Sequence, residues 1–367
     1  MYDAGIGYVC KWLVSQTNMN IASAATAFPK HYYPQNVLSA AFRRYWNDKL
    51  EDAGLFERLQ AHVGVDGRYL VRPREDYEAF SSFGETNDIW IQAATDLAEE
   101  ATSCALGRAG LDRSDLDAIF FVSVTGIASP SIDARLVNRM GLAPRIRRTP
   151  IFGLGCVAGA AGLSRAADYV RAYPAQTALL VSVEICSLTI QRDDLSIANL
   201  ISSGLFGDGA AAVIVAGAER GLSGPRIIAT RSIFYPNTED VMGWNISEKG
   251  FRIVLSPEVP EMARKHLGHD TDEFLASEGL KRSDIGCWLL HTGGPKVLEA
   301  MQDALDLHDG ELAVSWDCLR KAGNLSSASV LQVLEETMER RRPAPGTWGV
   351  LAAMGPAFCS ELLLLRW

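Results

Sequence analysis

The sequence has no Cys-x-x-Cys pair and no Cys/His spacing of the kind that holds zinc; its seven cysteines, at 10, 104, 156, 186, 287, 318 and 359, are odd in number. Neither a zinc module nor a secreted disulfide framework follows from such a set, and the chain reads as a reduced, cytoplasmic protein with no metal site. Also lacking is any apolar run of the roughly 18 residues that a membrane-spanning helix requires, so no integral membrane segment is expected. Residues 1–18 show no basic stretch followed by an apolar one, which argues against a signal peptide. With Met19 directly before the first well-patterned segment, those residues read as an extension peripheral to the fold. A basic surplus is missing too. The net charge is −9, which excludes general nucleic-acid binding but leaves room for a local basic patch that takes a phosphorylated ligand.

What is present is an ordinary globular composition, 48% hydrophobic and 22% charged over 367 residues. That length exceeds what one core usually supports, so two halves are expected. The most chemically suggestive stretch is 151–163. Here Gly155 and Gly159 bracket Cys156, between an apolar run and a segment of small residues with helical periodicity. Cys156 would open that helix, where free N–H groups and the positive dipole end favour a thiolate. A lone cysteine in a sequence is more often a buried core residue.

The chain restarts its own pattern. Gly110-Leu111-Asp112-Arg113-Ser114-Asp115 recurs as Gly279-Leu280-Lys281-Arg282-Ser283-Asp284, an offset of 279 − 110 = 169. Each copy precedes an apolar strand (118–124 and 287–290), a Thr-Gly pair (Thr125-Gly126 and Thr292-Gly293), a proline and a helix. The Thr-Gly pairs are offset by 292 − 125 = 167, and offsets of 167 to 169 carry Cys156 onto Gly323-Asn324-Leu325, before another small-residue helix. This is the signature of an internal duplication, with Cys156 and Asn324 at pseudo-symmetric helix starts. Further strands are expected at 20–27, 177–185, 210–215, 348–354 and 361–367. Helices are expected at 35–59, at 86–106 with Thr86 as cap, and at 131–141. Near-continuous apolar strands between helices imply a layered α/β fold. The halves divide as 19–218, with the nucleophile, and 219–367.

If the halves pack about a pseudo-dyad, Cys156, Asn324 and the strand-ending His291 converge. A thiolate beside an imidazolium is a mutually stabilised ion pair. Asn and His N–H donors can hold a developing oxyanion. These are the parts needed for carbon–carbon bond formation on thioesters.

Four motifs, Gly155-Cys156-Val157-Ala158-Gly159, Leu205-Phe206-Gly207-Asp208-Gly209, His291-Thr292-Gly293-Gly294-Pro295 and Gly323-Asn324-Leu325-Ser326-Ser327, resemble those of type III polyketide synthases of the chalcone synthase superfamily. The resemblance runs in order from about residue 20 to the end of the chain. It implies a homodimeric, duplicated thiolase-like αβαβα fold that uses free CoA thioesters, acyl-CoA and malonyl-CoA, and no cofactor. By the same resemblance Cys156 is the acyl-accepting nucleophile, and His291 and Asn324 promote decarboxylation. Phe206 and Phe251 resemble aromatic gatekeepers. Thr125, Thr189, Gly243 and Ser326 resemble cavity-shaping positions, and Arg58 a CoA-phosphate contact. Leu55 and His62 stand where plant members usually carry lysines, so Lys296 and the run Arg145-Ile146-Arg147-Arg148 become alternative phosphate contacts. Gly355-Pro356-Ala357 departs from the family's Gly-Pro-Gly. Gly207-Asp208-Gly209 reads first as a tight turn. The wording around Cys156 and at 126–135 is most similar to bacterial members that make alkylresorcinols or alkylpyrones from long fatty acyl-CoA starters. The alternatives are a tetrahydroxynaphthalene synthase that uses malonyl-CoA only, and an initiating β-ketoacyl carrier-protein synthase, although the latter usually has a His-Gln-Ala-Asn run where this chain has His291-Thr292-Gly293-Gly294.

Overall fold

The computed structural model describes residues 19–367 apart from 47, 48, 51 and 53. The expected extension at 1–18 therefore lies outside the described residues. Strands β1 (Met19–Ala27), β4 (Ala118–Val122), β5 (Arg147–Ile151), β6 (Thr177–Ile185) and β7 (Asp208–Ala216) come from the first half of the chain. The second half supplies β8 (Arg226–Phe234), β11 (Ile285–Leu290), β12 (Trp348–Gly355) and β13 (Cys359–Arg366). Together they form a nine-stranded mixed sheet in the order β11-β12-β13-β8-β1-β7-β6-β4-β5. Two small hairpins, β2 (His31–Pro34) with β3 (Gly67–Leu70) and β9 (Met242–Ser247) with β10 (Gly250–Leu255), lie outside it.

Alternation along the strands shows how this sheet becomes layered. Phe120, Val122 and Leu180 point to one core and Ile119, Phe121 and Leu179 to another, as a period of two requires. In the second half Leu289, Leu351 and Leu363 share the first of these cores, while Trp288, Leu290, Val350 and Leu364 face a third. The shared core holds helices α5 (Ala158–Ala172) and α10 (Ser329–Arg340) between the two halves of the sheet. Outside the first half lie α3 (Phe83–Ala109) and α4 (Ile132–Met140); outside the second lie α7 (Val259–Ser277) and α8 (Pro295–Leu305). The layering is αβαβα, as the duplication implies.

The duplication is visible in detail. Both Gly-Leu-x-Arg-Ser-Asp copies form a single 3-10 turn, Arg113–Asp115 and Arg282–Asp284. In each the aspartate accepts the backbone N–H three residues back, at 2.8 Å for Asp112 to Asp115 and 2.9 Å for Lys281 to Asp284. Each turn then leads into a strand that pairs in parallel with a neighbour.

Some expected bounds move. The long helix begins at Phe83, not Thr86, because Ser82 is its cap and accepts the Glu85 N–H at 3.2 Å. The stretch 35–59 is two helices, α1 (Gln35–Trp46) and α2 (Leu55–Ala61). Asp208 does not make a tight turn. It begins β7 fully buried, and its carboxylate accepts from Ser187 N (2.8 Å), Ser187 Oγ (2.6 Å) and Val71 N (3.0 Å).

Candidate active site

Two equivalent 3-10 turns meet at the centre of the molecule. Gly155–Val157 leads into α5, and Ser326–Ala328 leads into α10. Each opens with a left-handed residue, Gly155 at φ 53° and Ser326 at φ 48°. Glycine tolerates this; serine there is strained, and Asn324 Oδ1 accepts the Ser326 N–H at 2.8 Å. This alignment corrects the expected correspondence. The counterpart of Cys156 is Ser327 (327 − 156 = 171), and Asn324 lies just before the matching turn. The Cys156 Sγ approaches Ser326 Oγ at 3.7 Å.

Asn324 is held from both sides. Its N–H donates to Leu205 O at 2.9 Å and its carbonyl accepts from Gly207 N at 3.0 Å, a parallel bridge that places it beside Phe206. Its side-chain oxygen also accepts from Ser329 Oγ at 3.2 Å. That leaves the buried amide nitrogen Nδ2 without a hydrogen-bond partner among the described residues. His291 follows β11, fixed by its N–H to Ala352 O at 3.0 Å. Both of its ring nitrogens are buried and likewise unpartnered. Buried polar atoms are almost always paired, so these three mark a place built for something the chain itself does not supply.

Burial pushes the Cys156 thiol up to about 12 and the His291 imidazole down to about 4. Burial thus opposes the charged form of each group, so the expected ion pair would rest on the two groups stabilising each other. The thiol's hydrogen-bond partner is Ser326 Oγ, and either ion alone would be desolvated without compensation.

Glu184, which pattern reading overlooked, lies against Ser327, the counterpart of Cys156. It is buried and accepts from Val124 N (3.1 Å), Thr125 Oγ1 (2.8 Å), Ser123 Oγ (3.3 Å) and Ser327 Oγ. Burial raises its pKa. A single charged residue in the otherwise uncharged, fully buried strand 177–185 was its signal. Thr125 itself also accepts from Trp90 Nε1 at 3.3 Å and Ile185 N at 2.9 Å.

The remaining expected positions divide. Thr189 is buried and donates to Cys186 O at 2.8 Å. Phe251 on β10 packs edge-on against Phe83 and Trp244 and meets Phe152, four residues before Cys156, at 6.4 Å between centroids. Gly243 on β9 faces open space. A cavity of about 640 Å³ lies beyond Ser187 and Gln191, bounded by Arg68 and Phe83; Cys156, His291 and Asn324 do not line it. Arg58 is exposed on α2 and paired with Asp52. Lys296 is exposed near the start of α8, whose Pro295 packs against Gly64 just past α2, so Lys296 and the end of α2 share one flank. The run 145–148 is not on that flank. Arg147 and Arg148 begin β5, whereas the site lies past the other end of that strand, and they are engaged with Tyr173 and Asp133. Among the described residues no cluster of His, Cys, Asp or Glu could hold a metal ion, and no helix is long and apolar enough to cross a membrane.

The duplicated αβαβα layering, with buried Cys156 and Asn324 at its two facing turns, is a thiolase-like fold. The profile of chalcone and stilbene synthases matches in both parts, the N-terminal domain over residues 12–219 and the C-terminal domain over 226–367. The chain is 50% identical over 351 residues to a 1,3,6,8-tetrahydroxynaphthalene synthase of Streptomyces peucetius subsp. caesius, covering 95% of this chain and 93% of the relative. It is 36% identical to a putative chalcone synthase of Bacillus subtilis (strain 168), over 95% and 98% of the two chains. Its structure is similar to the crystal structure of 1,3,6,8-tetrahydroxynaphthalene synthase from Streptomyces coelicolor A3(2), a bacterial type III polyketide synthase, with TM-score 0.91, 33% identity and 95% and 99% coverage. The chain belongs to the chalcone and stilbene synthase family and is a type III polyketide synthase, an acyltransferase that works on CoA thioesters without a cofactor.

Proposed function

We propose that this chain makes 1,3,6,8-tetrahydroxynaphthalene, with malonyl-CoA as both starter and extender. The observation that carries this reading is the 50% identity, over 95% of the chain, to a relative of that name. A naphthalene skeleton with oxygen on alternate carbons is what head-to-tail joining of two-carbon malonyl units produces. The surroundings of Cys156 agree. Ser326 sets a hydroxyl 3.7 Å from the Cys156 sulfur, which suits an oxygen-rich chain better than a long alkyl one.

Cys156 Sγ attacks the thioester carbonyl, His291 takes its proton, and the CoA thiolate leaves. A second malonyl-CoA then loses carbon dioxide. The electron pair of the broken bond moves onto the thioester oxygen, where Asn324 Nδ2–H and a His291 N–H hold the enolate. Its carbon attacks the acyl carbonyl on Cys156, and the S–C bond breaks to free the cysteine for reloading. Phe206 and Phe251 gate the site; Thr125, Thr189, Gly243 and Ser326 shape its cavity. Arg58 and Lys296 meet the CoA phosphates. Two copies pair through the exposed edge of β5 and the neighbouring Phe152, which is 53% exposed; light scattering that returns only a monomer counts against this pairing.

The deciding experiment supplies purified enzyme with malonyl-CoA alone and follows products by mass spectrometry. A tetrahydroxynaphthalene mass without any added starter is expected. Product only when a long-chain acyl-CoA is present would overturn this reading in favour of an alkylresorcinol or alkylpyrone synthase.

A further inference from the structure

Arg68 is the most unusual charge in the chain outside the site. It lies on β3 and is 1% exposed. Burying a guanidinium costs several kcal/mol unless its donors are met. Its Nε donates to Gln35 Oε1 at 3.2 Å and its Nη1 to the carbonyl oxygen of Phe206 at 2.6 Å, while Nη2 has no hydrogen-bond partner among the described residues. The stem of Arg68 also sets the position of Gly323. A Cβ on that glycine, itself at φ 75°, would meet Arg68 Cδ at 3.2 Å and Leu205 O at 2.5 Å. Arg68 therefore grips both strands of the bridge that carries Asn324, the Leu205–Gly207 side by its guanidinium and the Gly323 side by its methylenes. Gln35 extends the grip, since its Nε2 donates to Gly204 O at 3.0 Å and to Gln60 Oε1 at 3.1 Å.

We infer that Arg68 is a positioning residue for decarboxylation: by fixing the Phe206 carbonyl and the Gly323 backbone it holds Asn324 Nδ2 where the enolate oxygen forms. The inference rests on the role of Asn324 given above. It distinguishes Arg68 from a residue that merely stabilises the fold, because the backbone of Cys156 belongs to the other turn and none of the hydrogen bonds of Arg68 reaches it. A lysine cannot replace it: a point charge on a flexible stem cannot reach Gln35 and the Phe206 carbonyl along two fixed directions.

The test is Arg68→Lys, assayed for carbon dioxide release from malonyl-CoA and, separately, for the rate at which iodoacetamide alkylates Cys156. A misplacement on the order of 1 Å costs about 100-fold in rate, so kcat for carbon dioxide release is expected to fall by at least about ten-fold. KM and the alkylation rate should stay within about two-fold of wild type. Unchanged carbon dioxide release, or alkylation falling in parallel with it, overturns the inference. If Arg68→Lys does not fold, Gln35→Ala carries the same test through the half-buried partner of Nε, with a smaller selective loss expected and an unchanged kcat refuting it. Wild-type enzyme and Asn324→Ala run alongside: equal carbon dioxide release from these two would refute the role of Asn324 itself, and the inference with it.

Discussion

At Gly159 the two halves approach each other closely, and replacing it with alanine tests whether catalysis depends on that fit. The residue sits in α5, one turn past Cys156. A Cβ there would lie 2.1 Å from the backbone oxygen of Ser327 and 3.1 Å from Val330 Cγ1. Ordinary contact begins near 3.4 Å, so the two turns must part by at least about 1 Å, and a backbone oxygen cannot swing aside as a side chain would. Overpacking of this kind costs about 1–3 kcal/mol, while alanine regains about 1 kcal/mol over glycine within a helix. The net loss of stability is therefore small, roughly 0–2 kcal/mol, and the protein should still fold. The turnover cost is larger, since a shift of about 1 Å between Cys156 and the Asn324 side is worth about 100-fold. Gly107→Ala, in α3, is the control. Nothing lies within 4 Å of its Cβ, so it should be more stable by about 0.5–1 kcal/mol with unchanged activity. Thermal melting and product formation on the three proteins decide the matter. Wild-type turnover in Gly159→Ala, or equal losses in both variants, would refute the reasoning.

Other expectations follow from the same geometry. Cys156→Ala abolishes condensation because no other nucleophile occupies the turn; product from the purified variant would displace Cys156 from that role. Asn324→Ala slows carbon dioxide release from malonyl-CoA by about 100- to 1,000-fold through loss of one enolate donor, and a rate within a few-fold of wild type would remove it from the oxyanion site. Lys296→Ala raises KM for malonyl-CoA several-fold at constant kcat, an effect that shrinks at high salt; a fall in kcat at constant KM would contradict a phosphate contact. Burial raises the Asp208 carboxyl to about 6. A folded-state pKa above the unfolded one favours the protonated form, so this stabilising share is present at acid pH and is lost as pH rises through about 6, on the order of 3 kcal/mol. Melting temperatures of wild type relative to Asp208→Asn should therefore fall between about pH 4 and pH 6, and a flat difference would count against it.

Much of this architecture was legible in the sequence because repetition and alternation are local signals. The Gly-Leu-x-Arg-Ser-Asp copies, the apolar strands at 118–122 and 177–185, and the small residues after Cys156 all report neighbours a few positions away. Cys156, His291 and Asn324 stood out because each sits at the end of a patterned segment. What escaped was set by contacts distant in sequence. Glu184 sits among hydroxyls and a backbone N–H from two other segments, 123–125 and Ser327. Arg68 is buried through partners 33 and 138 positions away, and in a linear reading it is one more charge in a turn-rich stretch. The offset of 169 blurred the correspondence at Cys156, because the second half has two more residues between its motif and its turn (326 − 279 = 47 against 155 − 110 = 45), which shifts it to 171. Only the matching backbone angles of Gly155 and Ser326 resolve that shift.

The seam between the halves has a bearing on recombination. Within the sheet, β1 and β8 meet through only two residue pairs, Met19 with Ile227 and Asn20 with Arg226. The rest of the register across the middle is carried by α5, α10 and the contact of Gly159 with Ser327. A chimera that joins the first half of one relative to the second half of another would therefore keep its strand ladders almost intact, yet inherit a mismatched pair of turns. Such hybrids should express and melt like their parents while losing turnover, unless the residues at 159 and 327 are transplanted together. Swapping halves within this family thus becomes a question of two matched contact points rather than of sheet compatibility.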